Sequence, residues 1–203
     1  MLNQSALLRP AEGFLTQLCI RLGLCLTLVA PGAASAQQET EEAQTTPNRH
    51  SADGYRYNVS TSLWTTHFNP QPEHNNTQRF LGLERYGDNY VTAPLQARFS
   101  ALQNAAPLLG LAHFSNSYSQ ATWYAYAGFG KTVWQRNELQ ASVKITAGFI
   151  HGYRNEFQYK IPFNSYGTSP AAVPSVNLRY RRLNGEAILF GASGLMLNIG
   201  YSF

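Results

Sequence analysis

Cysteine occurs at only two positions, Cys19 and Cys25, both near the start of a 203-residue chain. A disulfide-stapled scaffold is therefore excluded for everything downstream. Charge is scarce as well. Asp, Glu, Lys and Arg make up 13% of the residues, about half the ~25% of an ordinary soluble domain. Lys and Arg exceed Asp and Glu, 15 against 11, but only Arg179, Arg181 and Arg182 cluster, which argues against a nucleic-acid surface. Scarce charge does not mean disorder here, because Tyr, Phe and Trp reach 13%.

Residues 14–29 (FLTQLCIRLGLCLTLV) are mostly apolar. A membrane helix wants ~20 clean apolar residues, and this run is shorter and interrupted by Arg21. Ala34-Ser35-Ala36 follows among small residues, so the pattern predicts a secretory signal peptide over 1–36, cut after Ala36. What remains has no cysteine, which suits the bacterial periplasm or outer membrane. Residues 37–54 (QQETEEAQTTPNRHSADG) show no apolar face at helical spacing and predict a flexible periplasmic leader.

From residue 55 onward the chain alternates with period two, the strand signal. At the C-terminus Leu195, Leu197, Ile199, Tyr201 and Phe203 share one face, and Met196, Asn198, Gly200 and Ser202 the other. A chain ending in aromatic-x-Phe after such alternation resembles the closing strand of bacterial outer-membrane barrels; an edge strand of a secreted sandwich is the alternative. The alternation predicts strands at 55–68, 78–87, 108–117, 122–134, 138–151, 172–182, 185–190 and 195–203. An even count closes an antiparallel barrel without an open edge. The expected fold is an all-β, eight-stranded antiparallel transmembrane barrel over 55–203. Turns are expected at 136–137, 183–185 and 191–194. Residues 88–107 read as an insertion, of which 91–99 could pair as a strand. With the mature N-terminus in the periplasm, loops 69–77, 118–121, 152–171 and 191–194 fall on the cell exterior.

Eight strands enclose side chains or one narrow ligand, not a pore. Arg56, Asn58, Ser60 and Ser62 alternate against Tyr57, Val59, Thr61 and Leu63, giving the first strand a polar inner face. Residues 122–130 (TWYAYAGFG) are apolar on both faces. Lipid outside and a hydrocarbon ligand inside fits that pattern, and so does an apolar packed interior.

Phe114-Ser115-Asn116-Ser117-Tyr118, then Ala127-Gly128-Phe129-Gly130, then Thr146-Ala147-Gly148 with a Pro-bearing loop after it, and a terminal Phe occur in that order. In these passages the chain resembles the outer-membrane lipid A palmitoyltransferases of PagP type. The resemblance implies a barrel that moves a palmitoyl chain from a phospholipid donor to a lipid A acceptor. It implies a His, an Asp and a Ser on the exterior side, no cofactor, and a monomer surrounded by outer-membrane lipid. Ser117 matches the Ser. Asn116 stands where the family has Asp. The family His follows a Trp near the end of the first strand; that slot is Trp64-Thr65, so His67 is the substitute and His74 the fallback. The family's acyl pocket ends at the second Gly of the Ala-Gly-aromatic-Gly passage, which makes Gly128 and Gly130 the expected pocket residues. The family's N-terminal amphipathic helix has no counterpart in 37–54.

Position agrees, since His67 and Ser117 end outward-running strands and meet one rim. Regular alternation would instead turn His67 to the lipid side with Val59 and Leu63, so the reading requires a bulge in the first strand. A rival enzyme uses Ala112-His113-Phe114-Ser115-Asn116, which resembles the His-x-Ser-Asn signature of lipid A deacylases. A third reading is a non-catalytic barrel with a polar packed interior. No metal constellation is visible, because His67, His74, His113 and His151 fall on separate segments. An interior plugged by salt bridges, or His67 and Ser117 at opposite ends, would contradict the acyltransferase reading.

Overall fold

The computed structural model describes residues 54–203, so the expected signal peptide and nearly all of the expected leader lie outside the described residues. Eight strands form: β1 Tyr57–His67, β2 Leu81–Tyr86, β3 Ala106–Ser115, β4 Ala121–Arg136, β5 Leu139–His151, β6 Thr168–Tyr180, β7 Leu183–Leu189 and β8 Gly194–Ser202. Each pairs antiparallel with the next, and β8 pairs with β1, closing the barrel. Each strand falls within a few residues of a segment that the alternation marked. Both described chain ends lie at one rim, tied by the Arg56 and Tyr57 N–H groups donating to the Phe203 carbonyl at 3.0 and 2.9 Å. No helix among the described residues is long and apolar enough to cross a membrane.

Alternation fixes what faces out. Val59, Leu83, Leu111, Trp123, Ile145 and Ile199 are all exposed on the outer surface, with similar residues on every strand. Their inward neighbours Ser60, Glu84, Ala112, Thr122, Lys144 and Asn198 are buried.

Two local expectations fail. Residues 91–99 form no strand. Pro94 sits in the first turn of a short helix, α1 Ala93–Arg98, followed by a 3-10 turn at Ser100–Leu102. Proline suits a helix start and Leu, Gln, Ala and Arg favour continuation. Gln96 then donates from Nε2 to the Leu102 and Ala105 carbonyls at 3.2 and 2.9 Å, folding the segment back on itself. The β6–β7 turn falls on Arg181-Arg182, not on 183–185, with Arg181 in the left-handed region at φ 54°. Asn184 is thereby drawn into β7, where its side-chain N–H donates to Asn58 Oδ1 at 2.7 Å inside the barrel.

At mid-height three charges meet. Lys144 Nζ on β5 lies 2.6 Å from Glu84 Oε1 on β2 and 2.6 Å from Glu186 Oε1 on β7. Glu84 also accepts from the Tyr86 and Tyr126 hydroxyls at 3.0 Å each. Glu186 accepts from the Ser175 hydroxyl at 2.5 Å. Thus each buried carboxylate has both a cation and neutral donors, the condition under which buried charge is tolerated. Neither a hydrocarbon ligand nor an apolar packed interior, the two expectations for the lumen, holds along its whole length. The trio is a salt-bridged plug at mid-height, the arrangement set against the acyltransferase reading, and it confines any tail to the half above it. Above the trio the lumen is apolar, built on Phe80, Ala112, Phe114, Tyr124, Ile188 and Met196. Below it, Asn58, Gln140, Arg179, Asn184 and Ser202 make a polar half.

Replacing Lys144 alone with Met leaves two buried carboxylates without their cation and is expected to destabilise the barrel by about 3–5 kcal/mol. Replacing the whole trio with apolar residues is expected to be much milder. Urea unfolding in micelles, followed through the outward-facing Trp64, Trp123 and Trp134, measures both.

Candidate active site

His67 reaches the interior because β1 contains the required bulge. The β1–β8 register runs evenly from Asn58↔Ser202 to Ser62↔Asn198 and then shifts, pairing Trp64 with Leu197. Leu63 and Trp64 both point outward, 67% and 52% exposed. The extra residue reverses the parity of everything after it, so Thr65 is buried and His67 turns inward.

Ser117 lies just past the end of β3, in a turn that Asn116 builds. Asn116 Oδ1 accepts from the backbone N–H of Tyr118 at 2.9 Å and of Gln120 at 3.0 Å, and Asn116 is fully buried. Ser119 takes φ 62° to complete the turn. Asn116 is thus occupied by backbone and does not contact His67, contrary to its expected place beside the imidazole.

The partner of His67 is Asn76, a residue the sequence reading did not select. His67 Nδ1 lies 2.8 Å from Asn76 Oδ1, and His67 Nε2 lies 2.8 Å from Ser117 Oγ. A carbonyl oxygen only accepts, so Nδ1 carries the proton and Nε2 presents its lone pair to the Ser117 hydroxyl. The loop after β1 is held in place by β3. The Asn75 N–H donates to the Ser117 carbonyl at 2.8 Å, and the Ser115 N–H donates to the Gln78 carbonyl at 2.6 Å. Asn75 Nδ2 donates to the Asn116 carbonyl at 3.3 Å. These bonds fix Asn76 between the two strand ends.

His74 packs at a tilt of 33° against His67, with ring centroids 4.3 Å apart, and receives the Gln71 N–H at Nδ1. Desolvation lowers its pKa, and the neighbouring His67 lowers it further. It therefore flanks the imidazole and does not replace it. Burial raises the Tyr153 pKa despite the opposing contact with Ser117, so its hydroxyl stays protonated beside the serine.

Ser117, His67, His74 and Tyr153 line a cavity of about 630 Å³ at the rim opposite the chain ends. Phe114, Ile150, Val173 and Phe190 line it too and continue into a narrow apolar recess that ends at Glu84, Lys144 and Tyr126. The wall beside the cavity is incomplete. β6 pairs with β7 only from Ser175↔Ile188 to Tyr180↔Leu183. Its earlier stretch carries Pro170 and Pro174, which have no N–H to offer.

Neither glycine expected in an acyl pocket is there. Gly130 pairs with Lys144 and lines the polar chamber of about 330 Å³ below the trio. At Gly128 a Cβ would collide with the Ile145 carbonyl oxygen, so this glycine serves close contact of β4 with β5. The rival pair, His113 and Ser115, has outward parity, and His113 packs on Trp123 with centroids 4.6 Å apart. Neither lines the cavity. No group of three metal-ligating side chains occurs among the described residues. No protein-family model matches this chain, and no curated protein matches it.

Nitrogen-15 NMR of the His67 ring in micelles is expected to show the proton on Nδ1 in the unmodified chain. Asn76→Leu is expected to shift it toward the Nε2–H form, whereas an Asn116 substitution that preserves the turn leaves it unchanged.

Proposed function

We propose that this chain is an acyltransferase of the bacterial outer membrane that moves a fatty acyl chain from a phospholipid to lipid A. The observation that carries this reading is the Asn76–His67–Ser117 line of hydrogen bonds, of which His67 and Ser117 line a cavity walled in part by Phe114, Ile150, Val173 and Phe190. A hydroxyl, a base holding a free lone pair toward it, and a group orienting that base make up an activated nucleophile. The cavity of about 630 Å³, with Phe114, Ile150, Val173 and Phe190 in its wall, suits a hydrocarbon tail, while the recess beneath it holds only about 30 Å³. The continuous apolar outer surface suits lipid around the barrel.

In the proposed reaction His67 Nε2 takes the Ser117 proton as Oγ attacks the ester carbonyl of the donor. The bond from that carbon to the glycerol oxygen breaks, and the oxygen leaves with the proton from His67. A lysophospholipid and an acyl-Ser117 result. A lipid A hydroxyl then gives its proton to His67 and attacks the same carbon, the bond from that carbon to Ser117 Oγ breaks, and the proton passes from His67 to Oγ. Atoms and charge balance without a cofactor.

The trio of Glu84, Lys144 and Glu186 sets how deep the tail can go. Seven residues of β3 separate Ser117 from Gly110, which pairs with Glu84 and Tyr126. At ~3.3 Å per residue and a ~40° tilt this is roughly 18 Å, or less where the Tyr126 ring covers Gly110. That length is the farthest a tail can run before the trio; the recess along it is about 30 Å³, so a tail lies chiefly in the cavity of about 630 Å³ above.

Expression in a bacterium lacking the activity is expected to add one acyl chain to lipid A, read by mass spectrometry. Ser117→Ala and His67→Ala are each expected to lower transfer by about a hundredfold or more, while Ser115→Ala leaves it intact. Loss of an acyl chain instead of a gain would replace this reading with the deacylase. Ala112→Leu, which fills the recess, is expected to shorten the transferred chain, since each buried methylene contributes ~0.8 kcal/mol. Gly130→Met lies beyond the trio and is expected to leave chain length unchanged.

A further inference from the structure

Lys160 ends the short 3-10 segment Asn155–Lys160 and lines the same cavity as Ser117 and His67. Its Nζ sits 5.4 Å from the centroid of the Tyr118 ring and 5.2 Å from that of Tyr159. Tyr118, the chain neighbour of Ser117, is itself clamped. It stacks on Phe157 at 4.2 Å and meets His74 edge-on at 5.6 Å. An aromatic cluster thus holds one ammonium group at the mouth of the cavity.

That ammonium has no carboxylate partner. Lys160 makes no ion pair with a carboxylate among the described residues, whereas Lys144 and Arg181 do. No Asp or Glu lines the cavity, and no other Lys or Arg does. Glu73 acts on Lys160 only through space and lies outside the lining. The other nearby cation, Arg154, is turned away, with Nη2 2.7 Å from His151 Nε2. The lining therefore carries one permanent positive charge beside a nucleophile and nothing negative to neutralise it.

We propose that Lys160 recognises a phosphate group of the lipid substrate, holding it at the cavity mouth while the ester lies over Ser117. The proposal rests on the acyl-transfer reading and adds a headgroup subsite to it. A lysine binds phosphate as a point charge and tolerates different headgroup shapes. Both the phospholipid donor and lipid A carry phosphate, so the shared chemistry is the phosphate oxyanion.

The test compares the full chain with its Lys160→Gln form in micelles. Dipalmitoyl phosphatidylethanolamine and dipalmitoylglycerol are the two donors, and lipid A with and without its phosphates are the two acceptors. Lys160→Gln is expected to raise KM about tenfold for the phosphate-bearing partner, or about 1.4 kcal/mol, with kcat changed by less than about twofold. Lys160→Arg is expected to recover most of the loss. If the rise vanishes with dipalmitoylglycerol, the phosphate is the donor's; if it vanishes with dephosphorylated lipid A, it is the acceptor's. Equal KM values for both proteins, or an equal rise on phosphate-free substrates, overturn the subsite and leave the acyl-transfer reading standing. An unmodified chain that acts on no donor at all overturns both.

Discussion

Three ionised side chains that face the inside of a closed cylinder must satisfy one another. Glu84, Lys144 and Glu186 come from β2, β5 and β7, which are not neighbours around the barrel. Their contact spans the lumen where strand pairing cannot, and it divides the interior in two. Below them polar groups can bond one another. Above them the side chains are apolar and the rim is open. A cavity open at the rim that carries His67 and Ser117, and closed at the trio, is the consequence.

The barrel was legible because outward-facing and inward-facing positions alternate over most of each strand, and eight segments of that alternation could be counted. The charged trio was legible too, though overlooked. Glu84 lies at inward parity between Gly82 and Tyr86, and Lys144 and Glu186 hold the same parity on their own strands. Three charges at inward positions of a barrel cannot stand alone. Gly130 pairs with Lys144 and so falls on the far side of the trio, which the Ala-Gly-aromatic-Gly passage does not reveal by itself. The helix at Ala93–Arg98 was not legible because 91–99 (VTAPLQARF) is short, of mixed polarity and without a clear period of either two or 3.6.

The site shows where period-two reasoning ends. Parity alone turned His67 outward, and only the register shift at Leu63 brings it in. Its need could be argued from the His67 position, but its place could not, since Ser62-Leu63-Trp64 contains no glycine to mark it. Asn76 lies in a loop whose path is set by hydrogen bonds to β3, a contact across 41 residues of chain from Asn75 to Asn116. Loop geometry of that kind leaves no periodic trace. The visible signal was compositional: three consecutive polar residues, Asn75-Asn76-Thr77, after a histidine and before a strand.

The orienting group is neutral, and the charges explain why that suffices. In the proposed reaction proton transfer creates an imidazolium at His67 while negative charge appears on the ester oxygen next to Ser117. These two charges arise in contact and balance each other. A carboxylate at position 76 would also fix the ring, but Asn76 is exposed, so solvent would screen the added charge and leave it little effect on the imidazolium. An amide oxygen at 2.8 Å fixes the ring and its tautomer without adding that charge. Asn116, meanwhile, can give up the role that the Asp-Ser resemblance assigned to it, because its side chain accepts two backbone N–H groups and so builds the turn from which Ser117 projects.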